Sequence, residues 1–467
     1  MPTYDLAIIG SGPGGYVAAI RAAQWGLKTV VVEKDGFLGG TCLHVGCIPT
    51  KVLLHSADVL ADMAHASDFG IEVKDFKLNW KTVLDRKNKI VNKHAKGIEF
   101  LFKKNKVESI TGWGRVAGPG RVSIEKDGKT TEITAKNIML ATGSAARSLP
   151  GVTIDGKTIL SNIEILQLPA IPTSLVVVGA GAVGVEFASM FNSFGSDVTI
   201  LEALPRVVPV EDEEISTQLA KAFTKRGIKI QTGAKVQSVV PDKKGASATV
   251  TYTDAAGKTQ TITAEKVLIG IGRLPKTENL GLEKTKAKLE RGFIHTGPYM
   301  ETDEPGLYAI GDIVAGMPQL AHAASMEGIT AVAKMSGHQM PPVDRSKIPG
   351  CTYCEPQIGS VGLTEKAARD AGHKVKIGKF PFLANSKASI LGQHDGFIKV
   401  VADEAYGEIL GVHIIGPLAT EIIAEAVTAI SLEATVDDMM AIVHAHPTVW
   451  EGMGDAFASV KGLAINA

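Results

Sequence analysis

The sequence predicts an α/β chain with two Rossmann-like dinucleotide-binding domains and a C-terminal α+β domain. A glycine-rich turn, Gly10-x-Gly12-x-x-Gly15, joins a strand to a helix near the start of the chain. A turn of the same design returns near the middle, and residues 346–467 change to strands followed by an amphipathic helix. The two turns indicate an internal repeat at domain scale, and the change of pattern indicates a separate domain.

The first turn lies in a βαβ unit. We predict a strand over residues 4–9, a helix from about 16 to 25 and a strand over 29–32 that ends at Glu33. In such a unit the first glycine makes the tight turn, the second lets the backbone approach a pyrophosphate, and the third lets the helix pack closely on the strand. The phosphates then face the positive end of the helix, and the acidic residue binds a ribose hydroxyl.

The second unit repeats each part. Its turn glycines are Gly179, Gly181 and Gly184, between predicted strands at 175–178 and 198–201 and around a helix at 185–194. Glu202 follows 23 residues after the first glycine, the same spacing as in the first unit. A purely structural glycine turn is the alternative for either copy, but the matched context favours two dinucleotide sites. Glu202 predicts NAD rather than NADP, despite the nearby Arg206, because a carboxylate repels a 2′-phosphate.

Each unit closes with a similar strand, predicted at 138–142 and at 267–271. In the last part of the chain we predict strands at 397–402 and 409–415 and a helix at 421–432. The predicted domains are 1–149 and 150–273 for the two dinucleotide units, 274–345 for a second segment of the first, and 346–467 for an interface domain.

Composition excludes several classes of protein. The 49 basic and 49 acidic side chains give a net charge of zero, so neither nucleic acid nor an anionic membrane is an expected partner. No stretch approaches the roughly 20 apolar residues of a membrane span, and the N-terminus lacks the features of a secretory signal. Four cysteines in 467 residues are not a secreted disulfide framework. We therefore expect a cytoplasmic location.

Cys42 and Cys47 lie in the most informative stretch, residues 39–51. On a regular helix they would lie about 7.5 Å apart along the axis and on divergent faces. A disulfide needs Cα atoms within about 6.8 Å, so the pair bridges only where the turn is distorted. The glycines at 39, 40 and 46 and the proline at 49 permit this, and a strained, accessible disulfide is redox-active. Two buried thiols are the alternative, although they would leave the glycines unexplained.

A second chemical cluster lies near the end of the chain. Glu451 follows His446 by five residues, and a carboxylate there can hold a histidine and make it more basic. This is the base-and-orienter half of a triad, with Cys47 or Cys42 as the thiol. Taken alone, the segment is more typical of a surface pair of histidines, His444 and His446, than of a catalytic base.

Metal sites are not expected. No further histidine or cysteine lies near residues 444–446 to complete a zinc site. Cys351 and Cys354 have C-x-x-C spacing, but they have neither a second pair nor a thioredoxin-like βαβ context. We interpret them as structural cysteines.

In their order along the chain, these motifs resemble the pyridine nucleotide–disulfide oxidoreductase family over essentially its whole length. Residues 39–51 resemble the family's redox-active signature, and residues 141–143 resemble the strand that ends its first FAD segment. Residues 308–312 resemble the second FAD motif, where Asp312 meets the ribityl chain, and residues 446–451 resemble the C-terminal catalytic motif. The resemblance implies FAD and NAD as cofactors.

The resemblance also implies a set of cofactor-binding residues. Lys51 would lie near flavin N5 and pair with Glu186, and Val183 would line the nicotinamide pocket. The implied FAD residues are Gly10, Gly12, Gly14, Gly15, Glu33, Thr41, Lys51, Thr142, Gly143, Gly311, Asp312 and Ala321. The implied NAD residues are Gly179, Gly181, Val183, Gly184, Glu186, Glu202 and Gly272.

Within the family, the NAD-type fingerprint is most similar to that of members that oxidise dihydrolipoamide on lipoylated protein domains of 2-oxo acid dehydrogenase or glycine cleavage type complexes. The resemblance implies that Cys42 exchanges with substrate and that Cys47 lies against the flavin as a charge-transfer thiolate. His446 and Glu451 would come from the other subunit, so a homodimer would share its active sites. An NAD(P)H-dependent reductase of another disulfide and a non-catalytic flavoprotein scaffold are the alternatives.

The chain departs from the usual residues of the family at several positions, of which Trp450 is the bulkiest. It stands beside Glu451, where a small residue is usual, and an indole there could narrow the thiol channel and select among lipoyl partners. The other departures are His44, Thr50, Lys276, Cys354 and Gln357.

Overall fold

The computed structural model describes residues 1–466, which form two compact units. Within these residues, no helix combines the length and the apolar character needed to cross a membrane. The predicted domain boundaries at residues 149, 273 and 345 stay predictions. The first unit comprises Met1–Val52, Lys81–Arg147 and Arg273–Arg345, and the second comprises Leu53–Trp80, Ser148–Gly272 and the described residues from Ser346 onward.

Helices and strands alternate through most of the chain. The helices are α1 Pro13–Gln24, α2 Gly40–Val45, α3 Cys47–Ala64, α4 Trp80–Lys104, α5 Asn162–Ile165, α6 Ala182–Ser193, α7 Glu213–Lys225, α8 Ala321–Ser336, α9 Glu365–Asp370, α10 Ser386–Leu391, α11 Ala419–Ser431, α12 Val436–Met440 and α13 Glu451–Val460. The strands of the first half are β1 Thr3–Ile9, β2 Thr29–Glu33, β3 Glu108–Thr111, β4 Trp113–Gly118, β5 Arg121–Lys126, β6 Lys129–Leu140, β7 Ser144–Ala146, β8 Ile159–Leu160, β9 Ser174–Val178, β10 Asp197–Glu202, β11 Lys229–Thr232 and β12 Lys235–Pro241. The remaining strands are β13 Ala248–Thr253, β14 Thr259–Ala264, β15 Lys266–Ile269, β16 Arg273–Pro275, β17 Leu289–Glu290, β18 Phe293–Ile294, β19 Leu307–Ala309, β20 Gly350–Thr352, β21 Gln357–Gly362, β22 Val375–Pro381, β23 Phe397–Asp403 and β24 Ile409–Gly416.

The first unit is built on a sheet of order β3-β2-β1-β6-β5-β4, with β19 beside β6. Strands β1, β2, β3 and β19 run parallel to their neighbours, whereas the β4–β5 hairpin is antiparallel. Side chains of β1 alternate between two cores: Leu6 and Ile8 pack with residues of α1 and α8, and Ala7 and Ile9 pack with the hairpin. Both faces of β1 are covered, which explains its nearly continuous apolar sequence.

The second unit contains a parallel sheet of order β11-β10-β9-β15-β8, an antiparallel sheet β12-β13-β14 and an antiparallel sheet β20-β21-β24-β23-β22. Apolar residues of α11, α12 and α13 pack on the last of these sheets and form its core. The carboxyl ends of β9 and β10 are the positions of the second glycine turn and of Glu202. The predicted fold class, two Rossmann-like domains and a C-terminal α+β domain, is confirmed.

Several elements have ends that differ from the prediction. Helix α1 begins at Pro13 rather than at residue 16, because proline is well suited to the first position of a helix. Strand β6 begins at Lys129, nine residues before the predicted start, because its first half pairs antiparallel with β5. The strand predicted at 267–271 ends at Ile269.

Candidate redox and dinucleotide-binding sites

The first glycine turn leaves open space in front of α1. Gly10 has a φ of +105°, and a Cβ there would lie 2.3 Å from the carbonyl oxygen of Ala141, so only glycine fits. A Cβ on Gly15 would lie 2.0 Å from the carbonyl oxygen of Gly10. By contrast, a Cβ on Gly12 would meet no described atom within 4 Å. The turn therefore fits a pyrophosphate approaching the N-terminus of α1.

Glu33 is held by this turn. Its carboxylate accepts hydrogen bonds from the Ser11 backbone N at 2.9 Å, from Ser11 Oγ at 2.6 Å and from the Asp35 backbone N at 3.0 Å. Each carboxylate oxygen has two lone pairs, so the bound carboxylate can also accept a ribose hydroxyl. The turn thus orients the residue that the sequence assigns to the ribose.

Thr142 and Gly143 are hydrogen-bonded to Lys276, which lies more than 130 residues further along the chain. The Lys276 backbone N donates to the Gly143 carbonyl at 2.8 Å, and Thr142 Oγ1 donates to the Lys276 carbonyl at 2.6 Å. Both bonds use backbone atoms of Lys276. The departure from the family's usual side chain at this position therefore leaves them intact.

Asp312 is anchored by two residues that the sequence analysis missed. Ser144 Oγ donates a hydrogen bond to Asp312 and accepts one from Arg273 Nε at 2.6 Å. Burial lowers the pKa of Arg273, and the negative charges of Asp312 and Cys47 oppose that shift. Ser144 and Arg273 directly follow the two strand-ending glycines, Gly143 and Gly272, and that position was the available signal.

Gly311 lies in the short 3₁₀ turn Gly311–Ile313, near the helix that starts at Ala321. Its backbone N donates to Glu327 Oε2 at 2.5 Å. The Glu327 side chain is fully buried, and its Oε1 has no hydrogen-bond partner among the described residues. Where α1 meets α8, a Cβ on Gly14 would lie 2.9 Å from Ile310 Cδ1. The second FAD motif is thus fixed by buried contacts of α8.

Glu327 predicts a pH-dependent stability. Burial raises its pKa from 4.5 to about 7, so the stability that its protonated form provides is lost as the pH rises from about 4.5 through 7. Glu327→Gln removes this loss, and its amide oxygen can still accept from Gly311. The free energy of unfolding of the variant relative to the wild type should therefore increase between pH 5 and pH 8, by on the order of 3 kcal/mol at most, and its relative melting temperature should rise with it. Thermal melts of the flavin-loaded protein, with the exposed Glu99→Gln as control, test this, and parallel curves would contradict it.

The second glycine turn has the same geometry as the first. Gly179 has a φ of +100°, and a Cβ there would lie 2.5 Å from the carbonyl oxygen of Gly270. A Cβ on Gly184 would lie 1.9 Å from the Gly179 carbonyl oxygen, whereas a Cβ on Gly181 would meet no described atom within 4 Å. A Cβ on Gly272, which lies just after the neighbouring strand β15, would likewise meet no described atom within 4 Å. The N-terminus of α6 therefore fits a second pyrophosphate.

Glu202 repeats the role of Glu33. It accepts hydrogen bonds from the Ala180 backbone N at 2.6 Å and from the Leu204 backbone N at 2.8 Å. Arg206 is engaged elsewhere: its guanidinium lies 3.2 Å from Glu213 and donates to the Pro209 carbonyl at 2.9 Å. A 2′-phosphate would therefore meet the Glu202 carboxylate, and Arg206 would not be free to neutralise it because its guanidinium already contacts Glu213 and the Pro209 carbonyl.

Val183 and Glu186 lie in the first turns of α6 and differ in exposure. The Val183 side chain is 38 % exposed, whereas Glu186 is buried and its Oε1 accepts a hydrogen bond from the Tyr353 backbone N at 2.9 Å. Val183 is thus available to a nucleotide. The pairing of Glu186 with Lys51 stays a prediction.

The two cysteines of the redox stretch lie on either side of a helix break. Helix α2 ends at Val45 and α3 starts at Cys47, so the regular spacing of a single helix does not apply. Their side chains are close enough to share a hydrogen bond, which together with burial raises the pKa of Cys42, while the positive charge of Lys51 opposes the rise. The predicted distortion at Gly46 is therefore present.

Other residues complete this neighbourhood. Helix α2 starts against the first turn, since a Cβ on Gly40 would lie 2.7 Å from Gly12 Cα. Thr41, in the first turn of α2, has its carbonyl oxygen 2.9 Å from the position of a Cβ on Gly46. Burial raises the pKa of Tyr16, with Cys42 as the nearby group that raises it further. Tyr16 was missed, although its place directly after the last glycine of the turn was a signal.

His446 and Glu451 form the predicted pair. His446 Nδ1 lies 2.8 Å from Glu451 Oε1, and the Thr448 backbone N donates to Glu451 Oε2 at 2.8 Å. The Thr448 N–H and the adjacent His446 hold the pKa of Glu451 below its usual value. The imidazole is 71 % exposed within this chain, so its Nε2 is not covered by the chain's own side chains.

Three of the departures from the family's usual residues make hydrogen bonds within the chain. His44 Nε2 is 2.8 Å from the Leu38 carbonyl, Thr50 Oγ1 donates to the Gly46 carbonyl at 2.6 Å, and Gln357 Oε1 accepts from Thr420 Oγ1 at 2.8 Å. Trp450 packs partly buried against the core of the C-terminal sheet, which gives the indole a structural role.

The C-x-x-C pair has a different environment from that of the redox pair. Cys354 is 1 % exposed and burial raises its pKa, whereas Cys351 is half-buried, in β20. Across residues 1–466, no group of three or more His, Cys, Asp or Glu side chains is arranged to hold a metal ion.

Comparison with known families assigns this combination of sites. Residues 4–328 match the model described as "Pyridine nucleotide-disulphide oxidoreductase", and residues 348–457 match the dimerisation domain of the same family. The chain belongs to the pyridine nucleotide-disulphide oxidoreductase family. Its membership confirms the predicted flavoprotein oxidoreductase with FAD and NAD as cofactors, and the chain carries the family's dimerisation domain.

Individual relatives narrow the type of enzyme. A protein of Bacillus subtilis named dihydrolipoyl dehydrogenase is 45% identical over 99% of this chain and 99% of its own length. A protein of the same name from Rhizobium etli is 44% identical over 100% of this chain and 99% of its own length. The crystal structure of LpdA from Mycobacterium tuberculosis matches with a TM-score of 0.90 and 27% identity, covering 98% of this chain and 99% of that one. The prediction of an NAD-dependent disulfide oxidoreductase of dihydrolipoyl dehydrogenase type is confirmed.

Proposed function

We propose that the chain oxidises protein-bound dihydrolipoamide to lipoamide with NAD⁺, through a disulfide between Cys42 and Cys47. The helix break at Gly46, which brings the two side chains into hydrogen-bonding contact, is the observation that carries the proposal. The net reaction converts dihydrolipoamide and NAD⁺ into lipoamide, NADH and one proton.

Cys42 exchanges with the substrate. One sulfur of dihydrolipoamide attacks Cys42 Sγ as a thiolate, forms a mixed disulfide and releases Cys47 as a thiolate. The second sulfur of the substrate then attacks the first, so lipoamide leaves and Cys42 is released. His446 accepts the proton of the attacking thiol, and Glu451 stabilises the imidazolium.

The glycine turns bind and orient the two dinucleotides. FAD, when bound, supplies the two-electron chemistry that links the dithiol to NAD⁺. Gly12 and Glu33 would hold its pyrophosphate and ribose, and Asp312 would hold its ribityl chain. Gly181 and Glu202 would do the corresponding work for NAD⁺.

The partners follow from the same chemistry. The dithiol is carried by lipoylated domains of 2-oxo acid dehydrogenase or glycine cleavage type complexes, in the cytoplasm. The matched dimerisation domain supports a homodimer. In that dimer, His446 and Glu451 serve the thiols of the other subunit.

A steady-state assay of the flavin-loaded protein separates this proposal from its rivals. We expect a yellow protein that reduces NAD⁺ with dihydrolipoamide faster than it reduces other disulfides with NADH. Faster turnover with another disulfide would favour a reductase of that substrate. Absence of turnover in both assays, with FAD bound, would favour a scaffold.

The cofactor preference rests on Glu202. We expect kcat/KM to be much higher for NAD⁺ than for NADP⁺, and Glu202→Gln should reduce this ratio by at least about tenfold, equivalent to about 1.4 kcal/mol. The reason is that the neutral amide no longer repels the 2′-phosphate. Asp197→Asn, which neutralises an exposed carboxylate at the opposite end of strand β10 and leaves Arg206 engaged with Glu213, is the matched control. Equal ratios in the wild type and Glu202→Gln would show that Glu202 does not face the ribose.

A further inference from the structure

A second histidine–carboxylate pair lies next to the first. His444 Nε2 is 2.7 Å from Glu425 Oε1, and the two side chains are only 11 % and 18 % exposed. Glu425 belongs to α11, whose residues Ile422 and Ala426 are buried in the core of the C-terminal sheet. The sequence pattern treats His444 as a surface residue, because its partner lies 19 positions away.

His444 also contacts the helix that carries Glu451. A Cβ added to Gly454 would lie 3.5 Å from His444 Nδ1, which places one edge of the imidazole over that glycine. Gly454 follows Glu451 by three residues on α13, so both lie on the same helix face. Both imidazoles therefore lie against the same face of α13: His446 contacts Glu451, and His444 lies next to Gly454.

The loop that carries both histidines, residues 441–447, buries little of its surface within the chain. Of residues 441–447, His444 alone is not exposed, and the neighbouring Val443 is 95 % exposed. On the other side of His446, Thr448 Oγ1 donates to the Ala445 carbonyl at 2.7 Å. Within the chain, the segment of the base is thus held by the His444–Glu425 pair on one side and by Glu451 and Thr448 on the other.

We propose that His444, held by Glu425, is the positioning residue that fixes the loop carrying the base His446. This inference rests on the proposed function, in which His446 accepts a proton from dihydrolipoamide. A well-oriented base must lie within hydrogen-bonding reach of its thiol, and a displacement of about 1 Å can cost about 10²-fold in rate. The buried pair supplies the rigidity that the exposed imidazole lacks.

Two activities of the flavin-loaded enzyme separate positioning from general damage. His444→Ala should lower kcat for dihydrolipoamide and NAD⁺ by about 10–100-fold. Oxidation of NADH with ferricyanide as electron acceptor does not need the base, so it should stay at the wild-type level. Glu425→Ala should match His444→Ala, whereas Glu425→Gln should keep most of the activity because its amide oxygen still accepts the imidazole hydrogen bond. The exposed His373→Ala is the histidine control.

Coupling to His446 completes the test. In a His446→Gln background, His444→Ala should cause no further loss, since the residue acts through the base. An equal loss in both backgrounds, a parallel fall in ferricyanide activity, or full activity of His444→Ala would overturn the positioning role. Should His444→Ala fail to bind FAD, Glu425→Gln and Glu425→Ala decide the question in the same assays. A fully active His446→Gln would instead reject the base of the proposed function, so the two failures are distinguishable.

Discussion

Replacing His446 by glutamine should slow the oxidation of dihydrolipoamide by about 10²–10⁴-fold, the usual range for general-base catalysis. Glutamine keeps a polar side chain of similar reach, but it cannot accept a proton from the substrate thiol. The loss should appear in steady-state turnover with dihydrolipoamide and NAD⁺. Flavin content and the dimer should be unchanged, because His446 belongs to neither glycine turn and is replaced by a polar side chain of similar reach.

Glu451 should act in the same step with a smaller effect. Its carboxylate holds both His446 Nδ1 and the Thr448 backbone N, each at 2.8 Å, and the glutamine variant can keep one of these bonds. The double variant should lose much less than the product of the two single losses, since the pair works as one unit. Multiplicative losses would mean that Glu451 acts independently of His446.

The glycine turns and the helix break at the cysteines could be predicted from the sequence, because each depends on the backbone conformation of a few neighbouring residues. Gly10 and Gly179 are needed for positive φ, and the glycines around Cys42 and Cys47 indicate a break that the structure places at Gly46. These conclusions need only the geometry of the backbone over a few residues.

The contacts of these sites with residues distant in sequence could not be predicted in the same way. The carbonyl that excludes a side chain at Gly10 belongs to Ala141, and the one at Gly179 belongs to Gly270. Glu327 reaches Gly311 from a helix, and no periodic pattern distinguishes it from an exposed glutamate. Such partners are set by strand order and helix packing, which bring distant segments together.

Strand β6 shows the same limit in the fold. Its end, Ile138–Leu140, is apolar and buried and was predicted, whereas its first half, from Lys129, is mostly polar and begins with three exposed residues. That half pairs antiparallel with β5, and the second half pairs parallel with β1. One strand thus takes part in both antiparallel and parallel pairing. The continuous apolar run that predicts a strand is present only where both of its faces are buried.

The intersubunit assignment of the base leads to the sharpest test. Dimers of Cys47→Ser chains and dimers of His446→Gln chains should each be nearly inactive with dihydrolipoamide. When their subunits exchange, each hybrid dimer should contain one site with both defects. The other site should combine the intact thiols of the His446→Gln chain with the intact base of the Cys47→Ser chain.

Activity should therefore return on mixing, to about a quarter of the wild-type level per chain for an equal mixture, because half of the dimers are hybrids with one working site. Hybrid formation is measured independently with chains of different mass, and mixing Cys47→Ser with Cys42→Ser chains is the matched control, which should stay inactive because both defects affect the same disulfide. No recovery in mixtures that contain hybrids would mean that His446 serves the thiols of its own chain. Recovery would require that neither subunit holds a complete catalytic set, so that the C-terminal domain completes the active site as well as joining the subunits.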